Sequence, residues 1–183
     1  LTYIAAEKVY MKADNKQAKQ SFERYLQSFP KGAFYLNAHY YLALMAKTAN
    51  NDAELLEHTS KLLEYIDSPF TEEALVMQAK TLTKQKRHEE ALATYKQLQV
   101  KASTIERKRL AMMGALLSAN QLNNHIETIH AATALLAEEK ISPEMKNEAL
   151  YLRSMAYLNE QATEKAFADW QVLAQDIRTV YGA

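Results

Sequence analysis

Apolar residues recur along the chain at spacings of three and four, the interval that gathers them on one face of a helix. The stretches "NAHYYLALMAKTA", "TEEALVMQAKTLTKQ" and "ERKRLAMMGALLSANQL" all carry this pattern, and no segment alternates apolar and polar residues as a half-buried strand would. The breaks are short. Pro30 with Gly32, Ser68-Pro69, "QVKAST" (Gln99 to Thr104) and Ser142-Pro143 punctuate the chain at about one per unit. Proline ends a helix because it lacks the amide hydrogen and clashes with the preceding turn. Weaker polar breaks fall between these, at "ADNKQ", "ANND", "KQKRHE", "ANQLNN" and "LNEQATE". The pattern predicts an all-α array of ten helices in five antiparallel hairpins, with repeats over 1–32, 33–70, 71–104, 105–143 and 144–183. No linker or low-complexity run divides it.

A second regularity sits inside the first. An alanine stands four residues before an aromatic at Ala18/Phe22, Ala91/Tyr95 and Ala166/Trp170. Taking Ala18, Leu55, Ala91, Ile126 and Ala166 as equivalent gives repeat lengths of 37, 36, 35 and 40 residues. Twelve positions earlier, on the first helix of each hairpin, stand Ala6, Ala43, Ala79, Gly114 and Ser154, all small. Small residues let two helix axes approach closely, and an aromatic one turn on fills the space toward the next helix. A single hairpin cannot bury both of its faces, whereas a stack can.

This arrangement resembles the tetratricopeptide repeat, with its small residue on the first helix and A-x3-F then proline on and after the second. "QAKQSFERYLQSFP" matches from Ala18 through Phe22 to Pro30, and "EEALATYKQL" and "EKAFADWQVL" match at Ala91/Tyr95 and Ala166/Trp170. The second and fourth units depart from it, with Leu55 and Ile126 for alanine and Thr59 and His130 for the aromatic. The resemblance implies a right-handed superhelical solenoid of about five repeats. The longer repeats and the phrase "YLQSFPKGAFYLNAHYYLA" resemble those of bacterial envelope proteins, which gives a lean toward the periplasm or cell envelope.

The resemblance also implies a non-enzymatic scaffold whose first helices line a concave groove for a peptide, helix or protein partner. Its groove positions fall on Tyr3, Glu7 and Tyr10, then Tyr40, Leu44, Lys47 and Thr48, then Val76, Lys80, Thr83 and Lys84. They continue at Lys108, Ala111, Ala115 and Ser118, and at Tyr151, Met155 and Asn159. Aromatic and aliphatic groups there would anchor a partner, and the lysines would steer its acidic groups. The carboxylate clamp of the family's chaperone-tail binders is not matched, since Tyr3, Glu7, Tyr40 and Leu44 occupy its positions.

Composition narrows the chemistry. Lys plus Arg and Asp plus Glu are 22 each, so the chain has no net charge. An RNA-reading helical repeat would carry a continuous basic stripe; the cluster from Lys84 to Arg109 is interrupted by Glu89, Glu90 and Glu106. That module is the alternative reading, and nucleic acid is not the expected partner. The five histidines show no metal-ligand spacing, there is no cysteine, and the three glycines form no phosphate-binding loop. No catalytic residue, cofactor or metal is expected. No run of apolar residues is long enough to insert in a membrane. The chain opens at Leu1, directly in a helical pattern without a polar outer face. That points to a piece of a longer protein or to an end that pairs with a second copy, a possible homo-oligomer. Gly182 is the expected cap of the last helix.

Overall fold

The computed structural model describes residues 2–65 and 67–181, the side chains of 176–181 excepted. Leu1 and the cap expected at Gly182 lie outside the described residues. Among these residues there are ten α-helices and no strand. Each hairpin contributes a pair: α1 (Tyr3–Met11) with α2 (Asn15–Ser28), α3 (Tyr35–Thr48) with α4 (Asp52–Leu63), and α5 (Thr71–Lys84) with α6 (His88–Lys101). The last two pairs are α7 (Ile105–Gln121) with α8 (His125–Leu136) and α9 (Pro143–Asn159) with α10 (Thr163–Tyr181). By their contacts they form two compact units, Leu1–Thr81 and Leu82–Ala183, the division falling inside α5.

The turn inside each hairpin is built the same way, and without glycine. One residue takes a left-handed backbone: Ala13, Asn50, Lys86, Asn123 and Gln161, with φ between 53° and 60°. In the last four the amide after it reaches back five residues, as Asn51 N to Ala46 O at 2.9 Å, Arg87 N to Leu82 O at 2.9 Å, Asn124 N to Ala119 O at 3.1 Å and Ala162 N to Tyr157 O at 2.8 Å. This closes the free carbonyls of the first helix. The next helix begins at once, capped in three hairpins by Asp14, Asn51 and Asn124, whose side chains accept from the amides of Gln17, Glu54 and Glu127. Arg87 makes no such cap; its guanidinium pairs with Glu90 in the first turn of α6 at 2.7 Å.

These turns set the repeat register, with intervals of 37, 36, 37 and 38 residues. Five residues after each left-handed residue stand Ala18, Leu55, Ala91, Thr128 and Ala166, every one buried. The fourth unit is therefore two residues out of step with the sequence expectation: Ile126 is 72% exposed, and Thr128 takes the interior position. Its small residue on the first helix becomes Leu116, and its aromatic position falls on Ala132 in place of His130. Both are fully buried in one cluster with Met112, Leu135 and Ala149. Bulk has been exchanged between the two helices, because a methyl group in the aromatic slot leaves room for a leucine opposite.

Gly114 is small for a different reason. A Cβ placed on it would lie 2.4 Å from the ring of Tyr95, so α7 comes up against that ring with no side chain between. Tyr95 thus spans from its own hairpin to the next helix, as expected. Its hydroxyl accepts a bond from Thr83 Oγ1 at 3.3 Å.

The first unit is built on aromatic rings. Tyr3 stacks on Phe34 at 4.4 Å and Phe22 on Tyr41 at 5.2 Å, over Ala6, Ala18 and Ala38. The Tyr3 and Tyr41 hydroxyls both donate to Glu7 Oε1, at 3.0 and 2.9 Å. Burial, then the bond to Glu7, pushes the Tyr3 phenol up from its usual range. In the second unit Arg153 clasps the buried Asp169 with two bonds of 2.7 and 2.8 Å and also donates to Thr133.

Candidate protein-interaction surface

The turn register fixes which side chains share a face on the first helices. Positions ten and six residues before each left-handed residue lie one turn apart on the same side. In the first unit these are Tyr3 and Glu7, then Tyr40 and Leu44; in the second they are Met113 and Leu117, then Tyr151 and Met155. Val76 and Lys80 hold them on α5.

The two units treat the position differently. Tyr3 is 5% exposed and locked between Phe22, Tyr25 and Phe34, so it is a core residue and not a groove residue. Tyr10 is half-buried against Tyr41, Tyr40 half-buried against Phe70 at 4.8 Å, and Leu44 packs on Ala43, Ala46 and Met77. Of the candidates there, Lys47, Thr48 and Lys80 stand exposed. The rings of Tyr3, Phe22 and Tyr25 fill the interior of this unit.

In the second unit the position is open. Tyr151 is 51% exposed, Leu117 39% and Met155 38%, and the α7 and α9 that carry them are in contact. Large apolar groups gathered on one exposed face are the usual mark of an interaction surface. Met113 supports them from below, half-buried on the Leu116–Ala132 core. Lys84 is exposed, and with Thr83, Lys86, His88 and Gln121 it lines an open cleft of about 420 Å³ that reaches Leu117.

Three residues expected on this surface are interior. Ala111, Ala115 and Ser118 are 0%, 1% and 2% exposed, because the expected register was two residues off in this unit. Lys108 lies off the strip as well, its ammonium held 2.7 Å from Glu138 on the segment that follows α8. Met113 and Leu117 are the residues that the sequence reading missed. Their signal was the turn dipeptide: Asn50-Asn51 and Asn123-Asn124 both precede a second helix, 73 residues apart, the interval that separates Ala18 from Ala91.

Among the described residues no group of three or more His, Cys, Asp or Glu side chains is placed to hold a metal, and no helix is long and apolar enough to cross a membrane.

Comparison with known proteins agrees with this architecture. A tetratricopeptide-repeat family model matches residues 3–32 and 73–103. A crystal structure of MamA is 13% identical with a TM-score of 0.62, covering 97% of each chain. MamA from Desulfovibrio magneticus RS-1 is 10% identical with a TM-score of 0.58, over 96% of this chain and 92% of that one. The nearly identical TPR-like repeats of a kinesin light chain from Podosopora anserina are 11% identical with a TM-score of 0.58, over 98% and 94%. No curated protein matches the sequence.

Proposed function

We propose, for a chain that belongs to the tetratricopeptide-repeat family, a non-catalytic scaffold that captures a peptide or helix on the first-helix face of its second unit. The observation that carries the reading is the open strip of Leu117, Tyr151 and Met155 on neighbouring helices. Burying such side chains against a partner removes apolar area from water, and a few anchors of this kind supply most of an interface's energy. Lys84 and Lys86 at the adjoining cleft favour a partner whose flank is acidic. The bacterial-envelope setting implied by the longer repeats belongs to the same proposal.

The test compares wild type, Tyr151→Ala/Met155→Ala, and Val100→Ser, whose side chain is 83% exposed on a second helix. A pull-down recovers protein and nucleic acid together, and the retained partner is titrated against each variant. A loss of at least tenfold in affinity for the strip variant alone is expected, from roughly 1 kcal/mol or more per anchor. Equal binding by all three would move the site elsewhere. Recovery of nucleic acid, or of this chain alone, would replace the reading.

A further inference from the structure

Within the second hairpin, two imidazoles meet in the interior. His39 of α3 and His58 of α4 are 7% and 8% exposed, with their Nδ1 atoms 3.0 Å apart. The edge of Tyr35 closes over His39, ring centroids 4.5 Å apart. A bond between two Nδ1 atoms requires one ring to donate an N–H and the other to offer a lone pair. A first added proton can go to the far nitrogen of the donor ring and leave the bond in place. A second must go onto the accepting Nδ1. The bond is then lost, and two N–H groups and two positive charges face each other across a buried contact.

We infer that the His39–His58 pair is an acid-sensitive latch on the second hairpin, holding α3 against α4 while neutral and releasing it when both rings are protonated. Charges of both signs surround it. Lys61 of α4 and Glu64, which follows its end, face His39; Glu54 and Glu57 of α4 and Lys19 of α2 face His58, and Lys19 is already committed to Glu54 at 2.5 Å. Lys61 outweighs Glu64 at His39, and Glu57 and Glu54 outweigh Lys19 at His58, but burial is the largest influence on both rings and favours the neutral form. Burial, followed by the partner's charge and Lys61, lowers His39 to about 4; burial likewise lowers His58. In the unfolded hairpin both rings take up protons near the ordinary value of about 6.5. The unfolded state thus binds more protons between these values. The latch is at full strength above about 6.5 and weakens as pH falls toward 4. The inference stands independently of which partner the strip on α7 and α9 captures.

The experiment uses the full chain, wild type beside His39→Gln/His58→Gln, in which two amides preserve a hydrogen bond that cannot titrate. Amide hydrogen exchange, corrected for its intrinsic pH dependence, is followed by mass spectrometry from pH 6.5 to 4.5. Exchange in α3 and α4 of the wild type should accelerate about tenfold, while α7 to α9 change little and the Gln pair stays flat. Equal acceleration in the Gln pair would assign the effect to carboxylates and overturn the latch. Imidazole ¹⁵N spectra of the wild type supply a second reading that no folding failure of the variant can obscure. One ring protonated at Nδ1 and the other at Nε2 is expected at pH 7; two rings titrating together near 6.5 with α3 and α4 still protected would also overturn it.

Discussion

The contact between Tyr95 and Gly114 joins the third hairpin to the fourth, and Gly114→Ala tests it. Alanine is the better helix former by about 1 kcal/mol, so at an unconstrained site in the interior of α7 the change would stabilise. Here the new Cβ would sit 2.4 Å from two ring carbons of Tyr95, more than 1 Å inside an ordinary carbon–carbon contact of about 3.5–4.0 Å. The ring cannot retreat. Tyr95 is 6% exposed, the fully buried Leu98 lies one turn on, and Thr83 holds its hydroxyl. Overpacking of this kind costs roughly 1–3 kcal/mol, which outweighs the propensity gain and leaves a net loss of about 1 kcal/mol. At this chain length that is about 2–4 °C in Tm, readable by circular dichroism. The sign should invert in a Tyr95→Leu background, where the ring is gone and the same alanine stabilises. Both single changes and the double change form a cycle whose coupling term isolates the contact. A Gly114→Ala protein as stable as wild type, or more so, would show that α7 does not rest on the Tyr95 ring.

Two further substitutions probe the register and the turns. Ile126→Ser should change stability by no more than about 0.5 kcal/mol, whereas Thr128→Leu should cost about 1–3 kcal/mol, since Thr128 is fully buried and bonds Asn124 O at 2.9 Å; urea unfolding of both decides, and the reverse order would restore Ile126 to the interior. Gln161→Val should cost about 1–2 kcal/mol because a β-branched residue resists the left-handed backbone at φ 60°, while Gln161→Gly should be neutral or stabilising; equal losses in thermal unfolding would contradict that backbone.

The helices were legible because two independent signals agreed: apolar spacing of three and four, and breaks of one kind between repeats and another within them. The interior of the third and fifth units was legible for the same reason, since Ala91/Tyr95 and Ala166/Trp170 satisfy packing and motif together. The fourth unit misled because its packing obeys volume and not residue type. Leu116 with Ala132 fills the space that a small residue and an aromatic fill elsewhere, so the small-residue pattern falls on Gly114, which is small on account of Tyr95. The left-handed turn residue is the firmer ruler. It depends on where one helix must stop, and Asn50 and Asn123 carry it in the sequence.

That two-residue shift decides what the surface contains. On a helix it turns the named face by about 200°, from solvent to core. Ala111 and Ala115 would have made the strip small and featureless; Met113 and Leu117 put larger apolar side chains on α7, which is in contact with the α9 of Tyr151 and Met155. In the first unit no shift of register was needed, yet Tyr3 still left the surface. Phe34, in the link before α3, stacks on it, and a link residue lies outside any helical periodicity. Periodicity assigns a residue to a face but not to water, because whether that face is covered depends on what the connecting segments bring. Tyr3 and Tyr40 of the first unit are covered by Phe34 and Phe70 of the links, whereas Tyr151 of α9 is left exposed, which is why the proposed interaction surface is sought on the second unit.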